Sequence, residues 1–342
     1  MNKKKNKKKK LGSLLLLLFL TVIMLATSTY AWFTANKTVT VSNIDVHVSA
    51  SSGLQISTDA VNWKTLVASA DITTGYSATN PADDSQTITD RNMLPVELAA
   101  VSTIGQLNNG YMKMYTGTVG TDNGEFVLTA ETASETRGTT GNFVAFDLFL
   151  KTDTVEDLYL SVGSGVTATD GQPDKNLQNA ARIGLVIEGT QPATSDQYTL
   201  VNNFSGSDVK IIEPNYDSHT QYGITQANMY YTDYEFSALT EGDGNAAVSY
   251  DGVYAPISSG ILLANTNATD NPDYFNTVET IKTSTAFSKA SAGQTNLLLY
   301  PSFPAGVTKV RVYMWIEGQD VDCENNASGA YLSYALTFTQ TP

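Results

Sequence analysis

An apolar run near the N-terminus is followed directly by a segment in which polar and apolar residues alternate. Residues 11–26 are LGSLLLLLFLTVIMLA and stand behind seven lysines in residues 3–10. A cationic block before such a run predicts an export signal, because the lysines stay cytoplasmic while the run enters the bilayer. Residues 37–48 (KTVTVSNIDVHV) then alternate, with one phase slip at Ser42 and Asn43. This pattern predicts a β-strand with a bulge or bend at the slip.

Small residues precede a pair of aromatic residues at the end of the apolar run. Thr29 and Ala31 fit the two small positions of a signal-peptidase site, so we predict cleavage between Ala31 and Trp32. The alternative is an uncleaved membrane anchor, since residues 11–33 approach the roughly 20 apolar residues that a spanning helix needs. In both cases we expect the chain from residue 32 onward to lie outside the cytoplasmic membrane.

Strand patterns recur through the rest of the chain. Residues 142–151 (NFVAFDLFLK) are largely apolar on both faces and predict a central strand of a buried sheet. Residues 307–317 and 330–339 predict two further long strands. The predicted core comprises Phe143, Phe146, Leu148, Val312, Met314, Leu336 and Phe338.

The connections are polar and turn-rich. We predict a hairpin at residues 53–66, an exposed loop at residues 68–91 and one or two helical turns at residues 176–181. Residues 190–296 are interpreted as a large insertion of loops, with a weak strand at residues 198–201. The predicted fold is therefore all-β. Residues 1–31 are predicted to form a signal or anchor helix that precedes it. Residues 32–342 form one jelly-roll-like two-sheet β-sandwich with long loops, insertions and a few short helices.

Charge and cysteine content restrict the class of protein. Seven of the 20 basic residues and none of the 34 acidic residues lie in residues 1–31, so the remainder carries a net charge of −21. Such an acidic surface excludes nucleic acid as a partner and disfavours anionic lipid. Cys323 is the single cysteine, so the exported chain cannot form an internal disulfide. Together with the lysine-rich leader, this favours a secreted or surface protein of a Gram-positive bacterium.

Residues suited to catalysis are few. The chain has two histidines, His47 and His219, and contains neither an HExxH nor a GxSxG sequence. We therefore predict no catalytic residues and no enzyme. An extracellular hydrolase, with acidic residues or His219 converging in a cleft, is the disfavoured alternative.

Two segments could bind ligands. Glu317, Asp320, Asp322 and Glu324 follow a predicted buried strand and offer the oxygen ligands that calcium prefers, although the same side chains could simply cap a turn. No other cofactor is predicted. Tyr230, Tyr231 and Tyr234 form an aromatic cluster that could stack on sugars or pack on the sandwich.

The leader resembles a known group of exported proteins. Residues 28–34 (STYAWFT), followed at once by the valine-rich strand, are similar to the TasA/camelysin group of Firmicutes, which a dedicated signal peptidase processes. Residues 315–320 (WIEGQD) resemble a segment of related surface proteins. Elsewhere only β character and size agree, and this chain is larger than the smaller members of the group.

The resemblance implies a jelly roll that forms an extracellular biofilm-matrix fibre. In such a fibre the N-terminal segment of one subunit completes a sheet of the next, which satisfies unpaired backbone groups at a sheet edge. The implied assembly strand comprises Trp32, Phe33, Val39, Val41, Ile44, Val46 and Val48.

Two non-enzymatic hypotheses therefore stand beside the disfavoured hydrolase. The preferred one is a self-assembling surface or matrix protein, a homo-oligomer or fibre whose other partner is the signal peptidase during export. The alternative is a monomeric adhesin or carbohydrate-binding module, held in the membrane only through residues 11–33.

Overall fold

The computed structural model describes residues 40–51, 53–103, 105, 107–122, 125–204, 206, 208–214, 284–286, 296–318, 320, 322–323 and 327–342. Several predictions lie outside these residues. They are the leader with its cleavage site and the upstream positions Trp32, Phe33 and Val39; His219; most of the predicted insertion, at residues 215–283 and 287–295; the cluster of Tyr230, Tyr231 and Tyr234; and Glu324.

The described residues form strands joined by short helices and turns, so the fold is all-β. The helices are Ser69–Thr74 and Gln197–Val201, with a 3₁₀ turn at Leu177–Ala180. The strands are β1 (Thr40–Ala50), β2 (Gln55–Ser57), β3 (Leu66–Ala68), β4 (Ser77–Asn80), β5 (Asp83–Thr89), β6 (Leu98–Ala99), β7 (Leu107–Asn108), β8 (Tyr111–Met112), β9 (Met114–Asp122), β10 (Glu125–Ala133), β11 (Val144–Thr152), β12 (Glu156–Leu160), β13 (Gly165–Ala168), β14 (Ala181–Gln191), β15 (Asp208–Glu213), β16 (Ser284–Ala286), β17 (Leu297–Phe303), β18 (Gly306–Ile316) and β19 (Ala330–Thr339).

Two large sheets dominate the described part of the chain. The first sheet has the order β17-β12-β19-β1-β3, with β13 also beside β19 and β6 also beside β1. The second sheet has the order β16-β15-β14-β18-β11-β2. Three two-stranded hairpins, β4-β5, β7-β8 and β9-β10, stand apart from both sheets.

One apolar cluster joins the two sheets. Val46 and Val48 of β1 and Leu336 of β19 belong to the same buried cluster as Phe146 of β11 and Val312 of β18. Apolar residues at every second position of these strands point to one side, which is why the sheets share a core. All seven predicted core residues are buried; Phe143 alone lies in a second cluster, on the opposite face of the second sheet.

The clearest sequence patterns are confirmed. β1 shifts register between Val41 and Asn43, at the predicted phase slip. β11 lies between β2 and β18 and is buried on both faces, as its two apolar faces require. β9 and β10 form a further hairpin, with Asp122 opposite Glu125.

Three local predictions are wrong. Residues 68–91 form a helix and the hairpin β4-β5. The prediction failed because β5 is a polar strand with almost no buried side chain, so its sequence has no apolar pattern. Residues 198–201 are helical, since Asp196 caps the helix by accepting from the Thr199 N–H. The hairpin at residues 53–66 is reduced to one bridge between Ile56 and Lys64, because β3 pairs with β1 instead.

Candidate functional site

The first strand lies inside its own sheet, beside the last strand. β1 runs parallel to β19 in a register that joins Val41 to Ala330 and Ala50 to Phe338. From residue 45 onward its side chains alternate between half-buried and buried, and Val46 and Val48 have no exposed area. The predicted strand positions Val41, Ile44, Val46 and Val48 thus all lie in β1, paired with a strand almost 300 residues away.

Among the residues that the structure describes, strands cover only part of the opposite side of β1. β6 pairs with Thr40 and Val41, and β3 pairs with residues 47–49. Between them the Val46 N–H donates to Ser69 Oγ at 2.9 Å. A side chain at the start of the helix Ser69–Thr74 therefore takes the place that a neighbouring strand would fill.

The same serine anchors a small polar group on β1. Ser69 Oγ donates to Asp45 Oδ1 at 3.1 Å, and Asp45 Oδ2 lies 2.8 Å from Nε2 of His47. His47 is nearly half exposed in its side chain, so it makes a surface contact with Asp45 and does not lie in the core.

A short turn connects β1 to the second sheet. The Ser51 N–H donates to the Phe338 carbonyl at 3.1 Å, and the Leu54 N–H donates to the Ser51 carbonyl at 3.3 Å. Gly53 is exposed and has φ +85°, a backbone conformation that favours glycine. One short turn that contains Gly53 therefore connects β1 to β2 of the second sheet.

One of the predicted calcium ligands, Asp320, pairs with a buried arginine. Arg182 of β14 has no exposed side-chain area and lies 2.6 Å from Asp320 and 3.1 Å from Glu213. Burial alone would lower the pKa of Arg182, but Glu213 and Asp320 outweigh this effect and raise it, so the guanidinium stays charged. Arg182 thus already supplies a cation to this acidic group.

The other members of the predicted set make local contacts. Glu317 accepts from Trp315 Nε1 at 3.2 Å, and Asp320 accepts from the Asp322 N–H at 2.9 Å. The buried Cys323 follows directly. In the described ranges no group of three or more His, Cys, Asp or Glu side chains is arranged to hold a metal ion. Calcium binding at Glu317, Asp320, Asp322 and Glu324 stays a prediction.

A second charged cluster lies on the outer face of the second sheet. Lys309 and Arg311 of β18 and Asp147 of β11 have side chains that are at most 3% exposed. Arg311 pairs with Glu135 and lies 3.0 Å from Asp147. Burial lowers the pKa of Arg311, but the carboxylates of Glu135 and Asp147 outweigh burial and raise it. Its charge is therefore held by two partners from different segments.

Aromatic side chains and a backbone carbonyl pack against this cluster and separate it from water. Lys309 Nζ lies 3.4 Å from the centre of the Phe204 ring and donates to the Val201 carbonyl at 2.7 Å. Tyr76 donates to Asp147 Oδ2 at 2.5 Å, and Tyr313 donates to Glu135 at 2.8 Å. Segments from four parts of the chain thus converge on β18.

Glu188 of β14 completes this side of the sheet. It occupies the register shift between Ile187 and Gly189, opposite Val310 and Lys309, and accepts from the Gly206 N–H at 3.3 Å. Burial raises the pKa of Glu188 to about 7, although Lys309 acts in the opposite direction. A Cβ at position 206 would overlap the Ile187 carbonyl oxygen, so only glycine allows this approach.

The sequence analysis missed this cluster as a unit. Asp147 and Arg311 are opposite charges within two largely apolar strands, and these charges were the available signal. Glu135, Tyr76 and Glu188 carry no such signal, because they come from polar segments or a strand end.

A polar cleft lies beside the turn that follows β2. It has a volume of about 200 Å³ and is lined by Asp59, Asn62, Lys64, Asp71 and neighbouring residues. Lys64 and Asp71 pair within it at 2.5 Å, and Asp71 has a pKa below its usual value because Lys64 donates to it. The charged groups of the cleft therefore satisfy each other.

Comparisons with protein-family models, curated proteins and solved structures found no match. Within the part of the chain that the structure describes, no helix is long and apolar enough to cross a membrane.

Proposed function

We propose that this chain is an exported, non-enzymatic structural protein of a bacterial cell surface or biofilm matrix. Its subunits join when β1 of one copy occupies, in the next copy, the place beside β19 that it occupies in its own sheet. The two sheets are the layers of a jelly-roll-like sandwich, and the signal segment at residues 1–31 directs export. The TasA-like leader is the sequence feature that supports this assignment.

The observation that carries the proposal is the location of β1. An N-terminal strand lies in the middle of a sheet, parallel to the C-terminal strand, and joins the rest of the fold through one short turn. Exchange of such an element between copies preserves every contact of the folded subunit and requires only a new path at the hinge. The incomplete pairing on the far side of β1 lowers the number of backbone hydrogen bonds that exchange must break.

The exported part of the chain has properties suited to a matrix subunit. Its buried sheets and lack of a possible internal disulfide fit a domain stabilised by β packing alone. Its net negative charge keeps folded subunits soluble, so contact between copies depends on the specific strand.

The first experiment is N-terminal sequencing and native sizing of protein recovered from the cell surface. The proposal predicts a start at Trp32 in a high-mass, fibre-forming species, and monomers when residues 32–48 are deleted. This deletion removes most of β1, so circular dichroism of the variant checks that the rest of the chain still folds. A monomer that begins at Met1 would instead favour the membrane-anchored adhesin.

A further inference from the structure

Two oppositely charged side chains meet at a diagonal position across β11 and β18. Asp147 pairs with Arg311 and Phe149 pairs with Lys309, so Asp147 and Lys309 are diagonal neighbours on one face of the sheet. Nζ of Lys309 lies 3.4 Å from Oδ2 of Asp147, and their side chains are 0% and 3% exposed. An amine and a carboxyl group are thus held in contact away from water.

The surroundings of Lys309 make its charged form less stable than it is in water. The Phe204 ring and the Val201 carbonyl occupy two sides of Nζ. Burial lowers the pKa of Lys309, although Asp147 acts to raise it. A buried lysine whose pKa falls is a nucleophile, since its lone pair becomes available.

The surroundings of the aspartate favour attack at its carbon. Arg311 donates to Oδ1 at 3.0 Å and Tyr76 donates to Oδ2 at 2.5 Å. Donors on both oxygens stabilise the negative charge that develops when a nucleophile adds to a carboxyl carbon. Burial raises the pKa of Asp147, but Arg311 and Lys309 outweigh it and lower it, so the resting state is an ion pair.

We propose that Lys309 and Asp147 condense into an isopeptide bond that links β18 covalently to β11. Nζ of Lys309 forms a bond to Cγ of Asp147, and the bond from Cγ to Oδ2 breaks. The three protons of the ammonium group are all accounted for: one stays on the amide nitrogen, and two leave with Oδ2 as water. No oxidant, metal or second substrate is required.

Glu188 relays protons in this reaction. It lies on the strand on the other side of β18, and its charge interacts with that of Lys309. A carboxyl group with a pKa near 7 can accept a proton from the ammonium and return it to the leaving oxygen. The reaction is also favoured by the contact between the amine and the carboxyl group and by the exclusion of water.

The bond is independent of the proposed function, because it forms within one folded chain. It would fix the most buried strand of the second sheet and leave β1 unaffected. The nearest pair of the same chemistry, Lys64 and Asp71, lies in an open cleft with side chains 44% and 27% exposed. We expect that pair to remain an ion pair, since water competes for both groups.

Mass spectrometry of the denatured full chain tests the proposal. We expect an intact mass lower than the sequence mass by one water molecule, and a branched tryptic peptide that joins the fragment of Asp147 to the fragment of Lys309. Trypsin should fail to cleave after Lys309 and should cleave normally after Lys64. The full sequence mass together with separate linear peptides would overturn the proposal.

Two variants test the roles of the side chains. Lys309→Arg keeps the charge but removes the amine, so its mass should equal its sequence mass. Glu188→Gln should leave most chains unlinked, with the linked fraction rising slowly during incubation. If Glu188→Gln chains are linked as completely as the natural chain, the assignment of Glu188 as proton relay is wrong. The mass of the natural chain decides the bond itself even if a variant does not fold.

Discussion

β1 and β18 are both eleven-residue strands inside a large sheet, but they are held very differently. β18 pairs with β11 over residues 306–314 and with β14 over residues 307–316, and all eleven of its residues are buried. β1 pairs along most of its length on one side, and on the other side with two short strands and one serine hydroxyl. Within the described residues, β18 is thus paired along nearly its whole length on both sides, whereas β1 is paired in this way on one side.

The difference follows from what covers each strand. β18 has an apolar face toward the first sheet and a charged face covered by loops, so its removal would expose both clusters. β1 contributes mainly alternate apolar residues to one core. In the proposed exchange, β1 of another copy would bury the same residues in this core.

Loss of Arg311 should have the largest effect on β18. Arg311→Met leaves Glu135 and Asp147 buried beside a neutral side chain, which costs about 3–5 kcal/mol of unfolding free energy. Arg137 provides the matched control, because its side chain is 52% exposed and lies 3.5 Å from Asp90. Arg137→Met should cost about 1 kcal/mol or less in urea unfolding. Equal effects of the two substitutions would contradict a compensated buried cluster on β18.

Stability should also depend on pH through Glu188. The ordinary pKa of its carboxyl group is 4.5, and the pKa in the folded protein is about 7. Between pH 4.5 and pH 7 the folded chain therefore keeps a proton that the unfolded chain has lost. The unfolding free energy therefore falls as pH rises through this window, by about 3 kcal/mol at 1.36 kcal/mol per pKa unit. Asp59, Asp71 and Asp147 have lowered pKa values and titrate below the window.

Urea unfolding of the natural chain and of Glu188→Gln between pH 5 and pH 8 measures this pH-dependent contribution of Glu188 to the unfolding free energy. The amide does not titrate, so the variant should have a flatter profile whatever its absolute stability. Parallel profiles would show that Glu188 is not buried in the folded protein as described.

The smallest expected effect concerns the serine beside β1. Ser69→Ala removes the acceptor of the Val46 N–H, which costs about 1 kcal/mol. Thr73→Ala is the control, since the hydroxyl of Thr73 on the same helix donates only to helix carbonyls. Hydrogen exchange at Val46 should accelerate in Ser69→Ala alone. Unchanged exchange would mean that the serine does not close the gap between β6 and β3.

The sequence predicted those strands in which buried and exposed residues alternate or in which a continuous run of residues is buried. β1 with its bulge, β11, β18, β19 and the seven core residues were all identified from alternation or continuous apolar runs. The hairpin β4-β5 was missed because its strands are polar and exposed. Pairing partners were not predictable either, since nothing in β1 alone specifies that it lies parallel to β19.

The charged face of β18 shows a different limit. Arg311 and Asp147 are visible in the sequence as charges within apolar strands, but Glu135 lies in a polar segment 176 positions away. Only the three-dimensional path of the chain brings Lys309 to Asp147, and a diagonal contact depends on a register that alternation does not determine. Sites of this type therefore require a structure.

Disulfide trapping between β1 and β19 of different copies tests the central claim most directly. Ser49 and Thr337 face each other in the parallel register with their hydroxyl oxygens 2.8 Å apart. In a Cys323→Ala background, chains carrying only Ser49→Cys are mixed with chains carrying only Thr337→Cys, assembled and oxidised. A disulfide in this mixture can form only between two chains. Ser333→Cys replaces Thr337→Cys in the control, because Ser333 pairs with Asp45 and lies roughly 13 Å along the strand.

The account predicts a covalent dimer in the Ser49→Cys and Thr337→Cys mixture and none in the control. A chain with both substitutions should then form a ladder of linked subunits on a non-reducing gel. Absence of the mixed dimer, with the doubly substituted chain closing its disulfide only within itself, would contradict strand exchange and leave β1 as a fixed part of a single subunit.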